Sequence, residues 1–485
     1  MKSSSTFVSL FFTALILVLV KPALAQEQSA SSESATSYTV NSGKNRYRYT
    51  SNTNGTEFSI EMRGKIEVSD DDRDIKNMSD DGYLEVSKTV FGSKRTIVIE
   101  SLGGGKMKKE YYEGRTLSSW ESSGKAWLSE ILPEIVRSTG ISAESRVNRF
   151  YKQGGTSAVL AEIGKIENDH VRVQYANLLL QKPVQPSEYT SIIKVIAGKV
   201  DSDHYKAEFL RTNASRFLQN KESATAMLAA TQGIGSDHYK TEVIKKALEG
   251  ESTTPENIAL VLQTAGKMES DHYITEVLTS LLNKSNFSDA TLAELIHTTK
   301  TIESDHYKTI ILTKALDKPN ISKAAYQRLI ETVSDIESDH YLSQVINHML
   351  GKKLTPEILS GTFTIIGSIE SDHYRADVLS TLLRKQGLTE AQYTSVLNLC
   401  AAMGSDHYKE QVLHKALTNS LTDAQTIIVL QTVKSIESDH YATEVLLAAA
   451  PKVKNGSTTL KDAYRDAARS IGSETYYGKA LRAID

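Results

Sequence analysis

The histidines of this 485-residue chain keep time. Nine of the twelve fall at 170, 204, 238, 272, 306, 340, 373, 407 and 440, in steps of 33 or 34 residues. Eight of the nine stand in an intact Ser-Asp-His-Tyr. These eight carry Asp203-His204-Tyr205, Asp237-His238-Tyr239, Asp271-His272-Tyr273, Asp305-His306-Tyr307, Asp339-His340-Tyr341, Asp372-His373-Tyr374, Asp406-His407-Tyr408 and Asp439-His440-Tyr441. The first copy reads Asn168-Asp169-His170-Val171, and a tenth, degenerate copy reads Ser473-Glu474-Thr475-Tyr476. A fixed period of this size is the mark of stacked units, none of which buries an apolar face alone.

The unit Leu354–Gly387 shows the plan. Thr355-Pro356-Glu357 starts a helix, with an N-cap, a proline at the first position and an acid at the positive end. Ser371 caps a second helix, and Tyr374, Val378, Leu379, Leu382 and Leu383 form one apolar stripe along it. Gly387 then breaks the chain. Thr389–Gln392 and Thr422–Gln425 are capping boxes. The array, 155–485, is therefore expected to be a right-handed α-solenoid of about ten helix-pair repeats, mainly α, with a polar cap at its C-terminal end. Ser142–Gly155 reads as a lone second helix without the motif, broken at Gly154-Gly155.

An active constellation normally occurs once, so eight copies favour architecture over catalysis. In the structural reading Ser caps the helix, Asp complements its dipole and Tyr begins the apolar stripe. His bridges to Asp or to a carbonyl of the next unit. The fifth position is basic at Lys206, Lys240, Lys308, Arg375 and Lys409 but apolar at Ile274, Leu342 and Ala442, and reads as rim. Binding of ions or anions at many sites, and pH sensing, are the alternatives. If the histidines are buried and neutral, acid should loosen the stack. His297, His348 and His414 lie off the ladder and read as surface residues.

The N-terminal part differs in character. Residues 1–25 have Lys2, an apolar run from Phe7 to Val20 and Ala23-Leu24-Ala25, the pattern of a secretory signal peptide. Residues 26–36 are Ser-rich and read as a disordered linker. Residues 37–118 alternate at strand period, with turn signals at Asn54-Gly55 and Asp81-Gly82, and predict a small antiparallel β domain of five or six strands. Residues 119–154 are expected to be connecting helices, with Trp127 to Val136 docking the β domain onto the first repeats and Pro133 kinking the run or starting a second turn. Asp70-Asp71-Asp72-Arg73-Asp74 lacks the spacing of a calcium loop and reads as a solvated turn.

Removing Lys2 and Lys21 leaves 54 basic against 59 acidic residues, which argues against a nucleic-acid-binding surface. The one cysteine, Cys400, sits in an apolar helical run and is expected to be buried and inert. No second stretch is long enough to span a bilayer, so no transmembrane segment is expected in the mature chain.

The order of SDDDRDIKNMSDDGYLEVS, WLSEILPEIVRSTGISAESRVNRFYKQGG and repeats of the form I-x-S-D-x-x-K is similar to a group of exported bacterial proteins. It also resembles the extracytoplasmic tails of some membrane metallopeptidases of the beta-lactam-sensor type, though no H-E-x-x-H stands here. At the level of helix pairs the array looks like the HEAT and tetratricopeptide classes. The resemblance implies an exported protein, periplasmic or extracellular, in a bacterium. The function expected is a non-enzymatic scaffold for an unidentified protein, peptide or envelope polymer, with no catalytic residue, cofactor or metal. An envelope sensor working through the Asp-His ladder is the alternative, and an enzyme of unrecognised type is the third.

Overall fold

The computed structural model describes residues 34–485 apart from 42–45, 54, 251–253, 285–287, 320 and 385–387. The expected signal peptide, residues 26–33 of the expected linker, Asn54 and Gly387 lie outside the described residues. The chain forms two compact units that meet between Ser142 and Ala143.

The first unit is built on a seven-stranded antiparallel sheet, β1 (Ser34–Asn41), β2 (Arg46–Thr53), β3 (Thr56–Arg63), β6 (Tyr83–Val90), β7 (Ser93–Gly103), β8 (Lys106–Glu113) and β9 (Thr116–Ser118), paired in that order. A separate ribbon pairs β4 (Ile66–Val68) with β5 (Ile75–Met78). Five or six strands were expected, and the extra ones have a physical reason. β2 (RYRYTSNT) and β9 (TLS) carry too few aliphatic residues to show a strand period. The first strand also begins at Ser34, inside the stretch expected as linker.

One face of the sheet carries Phe58, Ile60, Leu84, Val86, Ile97 and Ile99, all buried. The helix Lys125–Thr139 (α1) lays Trp127, Leu128, Ile131, Leu132, Ile135 and Val136 into the same core. Its apolar stripe is the second layer of the sheet unit. Pro133 lies inside a helix that runs continuously through it. Past the helix end, Ser142 donates from Oγ to the Ile66 carbonyl at 2.7 Å and accepts from the Val68 N–H at 3.1 Å. The Asp70–Asp74 segment is an exposed turn in which Ser69 Oγ accepts from the N–H groups of Arg73 and Asp74.

The second unit is the helix-pair array. Two helices meet within Ala143–Ile163, broken at Gly154 and Gly155, where Gly155 takes a φ of 61°. The helices that open with the repeated motif, here the motif helices, are Asp169–Leu180, Asp203–Thr212, Asp237–Leu248, Asp271–Leu282, Asp305–Leu316, Asp339–Leu350, Asp372–Leu383, Asp406–Leu417, Asp439–Lys454 and Glu474–Arg482. Between them run the lead helices Tyr189–Lys199, Lys221–Gln232, Pro255–Ala265, Asp289–Thr298, Lys323–Val333, Pro356–Ser368, Glu390–Ala401, Asp423–Val433 and Thr458–Ala468. Each motif helix packs on the next motif helix, and each lead helix on the next lead helix, the two-layer arrangement of a solenoid. Its core is continuous. The apolar residue that ends each lead segment (Val200, Ile234, Met268, Ile302, Ile336, Ile369, Met403, Ile436, Ile471) is buried in every unit.

The lead helices from 254 onward are capped locally. Thr254, Ser288, Ser322, Thr355, Thr389, Thr422 and Ser457 each accept from the backbone three residues on. Both expected capping boxes are formed.

Candidate functional site

The motif helices are held differently. The serine that precedes each of them from Ser202 onward stands at the N-cap position, yet its side chain accepts no capping hydrogen bond. The preceding unit supplies the contact. Asp169 accepts from the N–H groups of Asp201 and Ser202 at 2.9 and 2.7 Å. Asp203 accepts from Gly235 and Ser236, Asp237 from Glu269 and Ser270, and Asp271 from Glu303 and Ser304. Asp305 takes Glu337 and Ser338, Asp339 takes Glu370 and Ser371, and Asp372 takes Gly404 and Ser405. Asp406 takes Glu437 and Ser438, and Asp439 takes Gly472 and Ser473. Nine consecutive carboxylates thus each grip the turn that opens the following motif helix. Hydrogen bonds to a charged acceptor are the stronger kind.

The fifth position completes the grip and corrects the expectation of a rim. Lys206, Lys240, Lys308 and Lys409 are buried. Lys206 donates to the Gly233 carbonyl, Lys308 to Asp335 and Lys409 to Ser435, at 3.2, 3.2 and 2.7 Å. Those carbonyls lie in the same following unit whose N–H groups the aspartate holds. Arg172 does likewise with the Lys199 carbonyl. Lys240 and Arg375 instead turn back to carbonyls of their own unit, Gly235 and Ile369. Lys240 and Lys409 also sit 3.1 and 3.3 Å from Asp237 and Asp406. A lysine's stem buries readily while its ammonium finds oxygen. At Asp237, burial pushes the carboxyl up, but the Ser270 N–H, the Lys240 ammonium and the Glu269 N–H outweigh it, and the net shift is below the ordinary value.

The histidines do not bridge to the aspartates. Each of His204 to His440 packs against the tyrosine of its own motif, ring centroids 5.0–5.3 Å apart. Each of His170 to His440 also packs against the tyrosine of the next unit, at 5.5–6.2 Å. The result is one unbroken file of alternating rings from His170 to Tyr476. The tyrosines are half-buried, but all nine histidines are exposed, His204 and His272 with 54% and 56% of the side chain open. The burial on which acid loosening of the stack depended is absent.

One turn along each motif helix from the histidine lies a second row, which includes Glu208, Glu242, Glu276, Gln344, Asp377, Gln411 and Glu444. Arg211–Glu242, Lys245–Glu276 and Lys479–Glu444 pair across neighbouring motif helices at 2.7, 3.4 and 3.1 Å. A shallow cleft of 310 Å³ beside His238 is lined by Arg211, Glu242, Lys245 and Glu276 among others. Among the described residues, no three His, Cys, Asp or Glu side chains are grouped as a metal site would need. His348 binds Asp317 at 2.8 Å, and His414 sits 3.2 Å from Glu410. Cys400 is fully buried, and burial pushes its thiol up to about 12.

The ladder's two ends differ in a telling way. The first copy keeps the groups that reach forward, Asp169, His170 and Arg172, and has Val171 where a receiving tyrosine would stand. Its Asn168 accepts from the Val171 N–H at 3.2 Å and caps its own helix. The last copy has lost Asp and His and keeps Tyr476, which receives His440.

No family model matches the chain. No curated protein matches it either. A solved structure described as "Computational Design of Self-Assembling Cyclic Protein Homooligomers" is similar over 70% of this chain and 96% of its own, at 11% identity. Its TM-score of 0.10 is too low to carry any argument. Among the described residues, no helix is long and apolar enough to cross a membrane.

Proposed function

We propose that the chain is an exported, non-enzymatic scaffold that presents the row of exposed histidines to an extended protein segment or envelope polymer. The observation that carries this reading is the regular exposure of nine histidines on one side of the motif helices. Neighbouring helices lie about 8–10 Å apart. Three residues of an extended peptide rise about 10 Å. Every third residue of such a segment therefore meets a new ring edge, and the second row adds carboxylates and amides beside it. A partner laid along the row gains many weak contacts at once rather than one strong one. Export rests on the sequence of residues 1–25, and the resemblance to exported bacterial repeat proteins agrees with it.

The test is capture from an envelope fraction by residues 26–485, beside the same chain carrying His238→Ala, His272→Ala and His306→Ala. These side chains are exposed, so the variant keeps its fold. A partner held by the parent and lost by the variant supports the reading. A partner held equally by both moves the surface elsewhere.

A further inference from the structure

The hairpin that joins β6 to β7 ends in a two-residue loop, Phe91-Gly92, closed by the pair Val90 and Ser93. Both loop residues have positive φ, 47° for Phe91 and 82° for Gly92. That sign pattern belongs to the tight hairpin turn that asparagine-glycine serves best. A bulky aromatic residue there is an outlier. Strain of this kind is retained where something other than folding benefits. Phe91 is also 91% exposed, and Val90 beside it is exposed. An exposed aromatic at a strained tip contributes nothing to the core of the sheet.

Its surroundings name a partner. Lys94 and Arg95 follow directly on β7, and Arg115 stands in the β8–β9 turn, which the Gly114 N–H ties to the Lys94 carbonyl at 2.7 Å. All three cations are exposed, and Arg95 stands directly across from Glu113 on β8. The chain as a whole has a net charge of −3, so three exposed cations close to one apolar tip run against its balance. An aromatic wedge ringed by basic residues is the arrangement that seats on a lipid headgroup layer. We infer that the Phe91 tip docks the sheet unit on an anionic phospholipid surface, with Phe91 among the headgroups and Lys94, Arg95 and Arg115 on the phosphates. One wedge and three cations give weak, reversible attachment.

The test is flotation of residues 26–485 with vesicles, one set containing a third phosphatidylglycerol and one purely phosphatidylcholine. The apolar run 7–20 is left out because it would partition into lipid by itself. The expected result is binding to the anionic vesicles that falls as salt rises. Phe91→Asn is the decisive variant. Asparagine suits the positive φ, so the fold is kept or stabilised, while vesicle binding should drop about tenfold or more. Phe91→Trp should retain binding, and Lys94→Ser with Arg95→Ser should lower it about tenfold. Equal binding by Phe91→Asn, equal binding to both vesicle types, or no binding by the parent each overturns the inference. Loss of a captured envelope protein by Phe91→Asn, with vesicle binding unchanged, assigns the tip to a protein and overturns it as well.

Discussion

The two units solve the same problem, holding layers together, in opposite ways. The sheet unit has one core, in which Leu132 on α1 meets strands that are distant in sequence. The helical array has one joint copied nine times, made of an aspartate and a pair of stacked rings, with a basic residue that reaches the following unit at four of the nine. Its joint is mostly backbone on the receiving side, since the groups that Asp and Lys seize are N–H and C=O. The sheet unit therefore depends on which side chains fill it. The array depends on where the chain turns. Stability in the array is accordingly close to a sum of neighbour terms, whereas in the sheet unit it is indivisible.

Three experiments press on that contrast. The largest effect is expected from Leu132→Ala. The residue is fully buried, and the substitution should cost about 2–5 kcal/mol. In calorimetry it should lower the transition of the sheet unit and leave that of the array in place. A common shift of every transition would dissolve the comparison.

Next comes Asp237→Ala, which strips two N–H groups of their acceptor and should cost about 1–3 kcal/mol. The effect is expected to depend on acid in one direction. A carboxyl held below its ordinary value of 3.8 binds its proton less readily folded than unfolded. Its contribution is complete above that ordinary value and fades as pH falls through the lower folded one. The difference between parent and variant in denaturant unfolding should therefore be constant from pH 7 to 5 and shrink below 4. A difference that instead vanished between pH 7 and 6 would remove the Asp237 carboxylate as its source.

The smallest effect is expected from His272→Ala. The ring is more than half exposed, and its loss should cost less than about 1 kcal/mol. If its thermal shift equalled that of Asp237→Ala, the ring file would be a main support of the stack and not its exposed surface.

Much of the array was legible in sequence because its signals are local. Thr355, Thr389 and Thr422 cap the helices that follow them, and Tyr374, Val378 and Leu382 lie on one stripe. What Asp203 does was not legible. Its partners are the N–H groups of Gly235 and Ser236, 32 and 33 residues on, and a backbone N–H leaves no trace in residue identity. Lys308 was misread for a related reason. A charge suggests solvent, while the buried stem and the distant carbonyl that hold it appear only after folding. Trp127 to Val136 were recognised as a helix with an apolar face, but periodicity does not say which surface covers that face. The exposed histidines were found by their spacing alone, and their exposure by the structure.

The asymmetry of the ladder's ends bears on how such a chain can change its length. Every interior copy presents an aspartate and a histidine forward and a turn and a tyrosine backward, and these fit any other interior copy. Splicing in one whole period between His170 and Ser473 leaves the aspartate grip and the ring file unbroken, and so does cutting one out. Half a period leaves both faces wrong. The span of the exposed row is therefore set by copy number, a quantity that duplication changes in a single step without redesigning a joint.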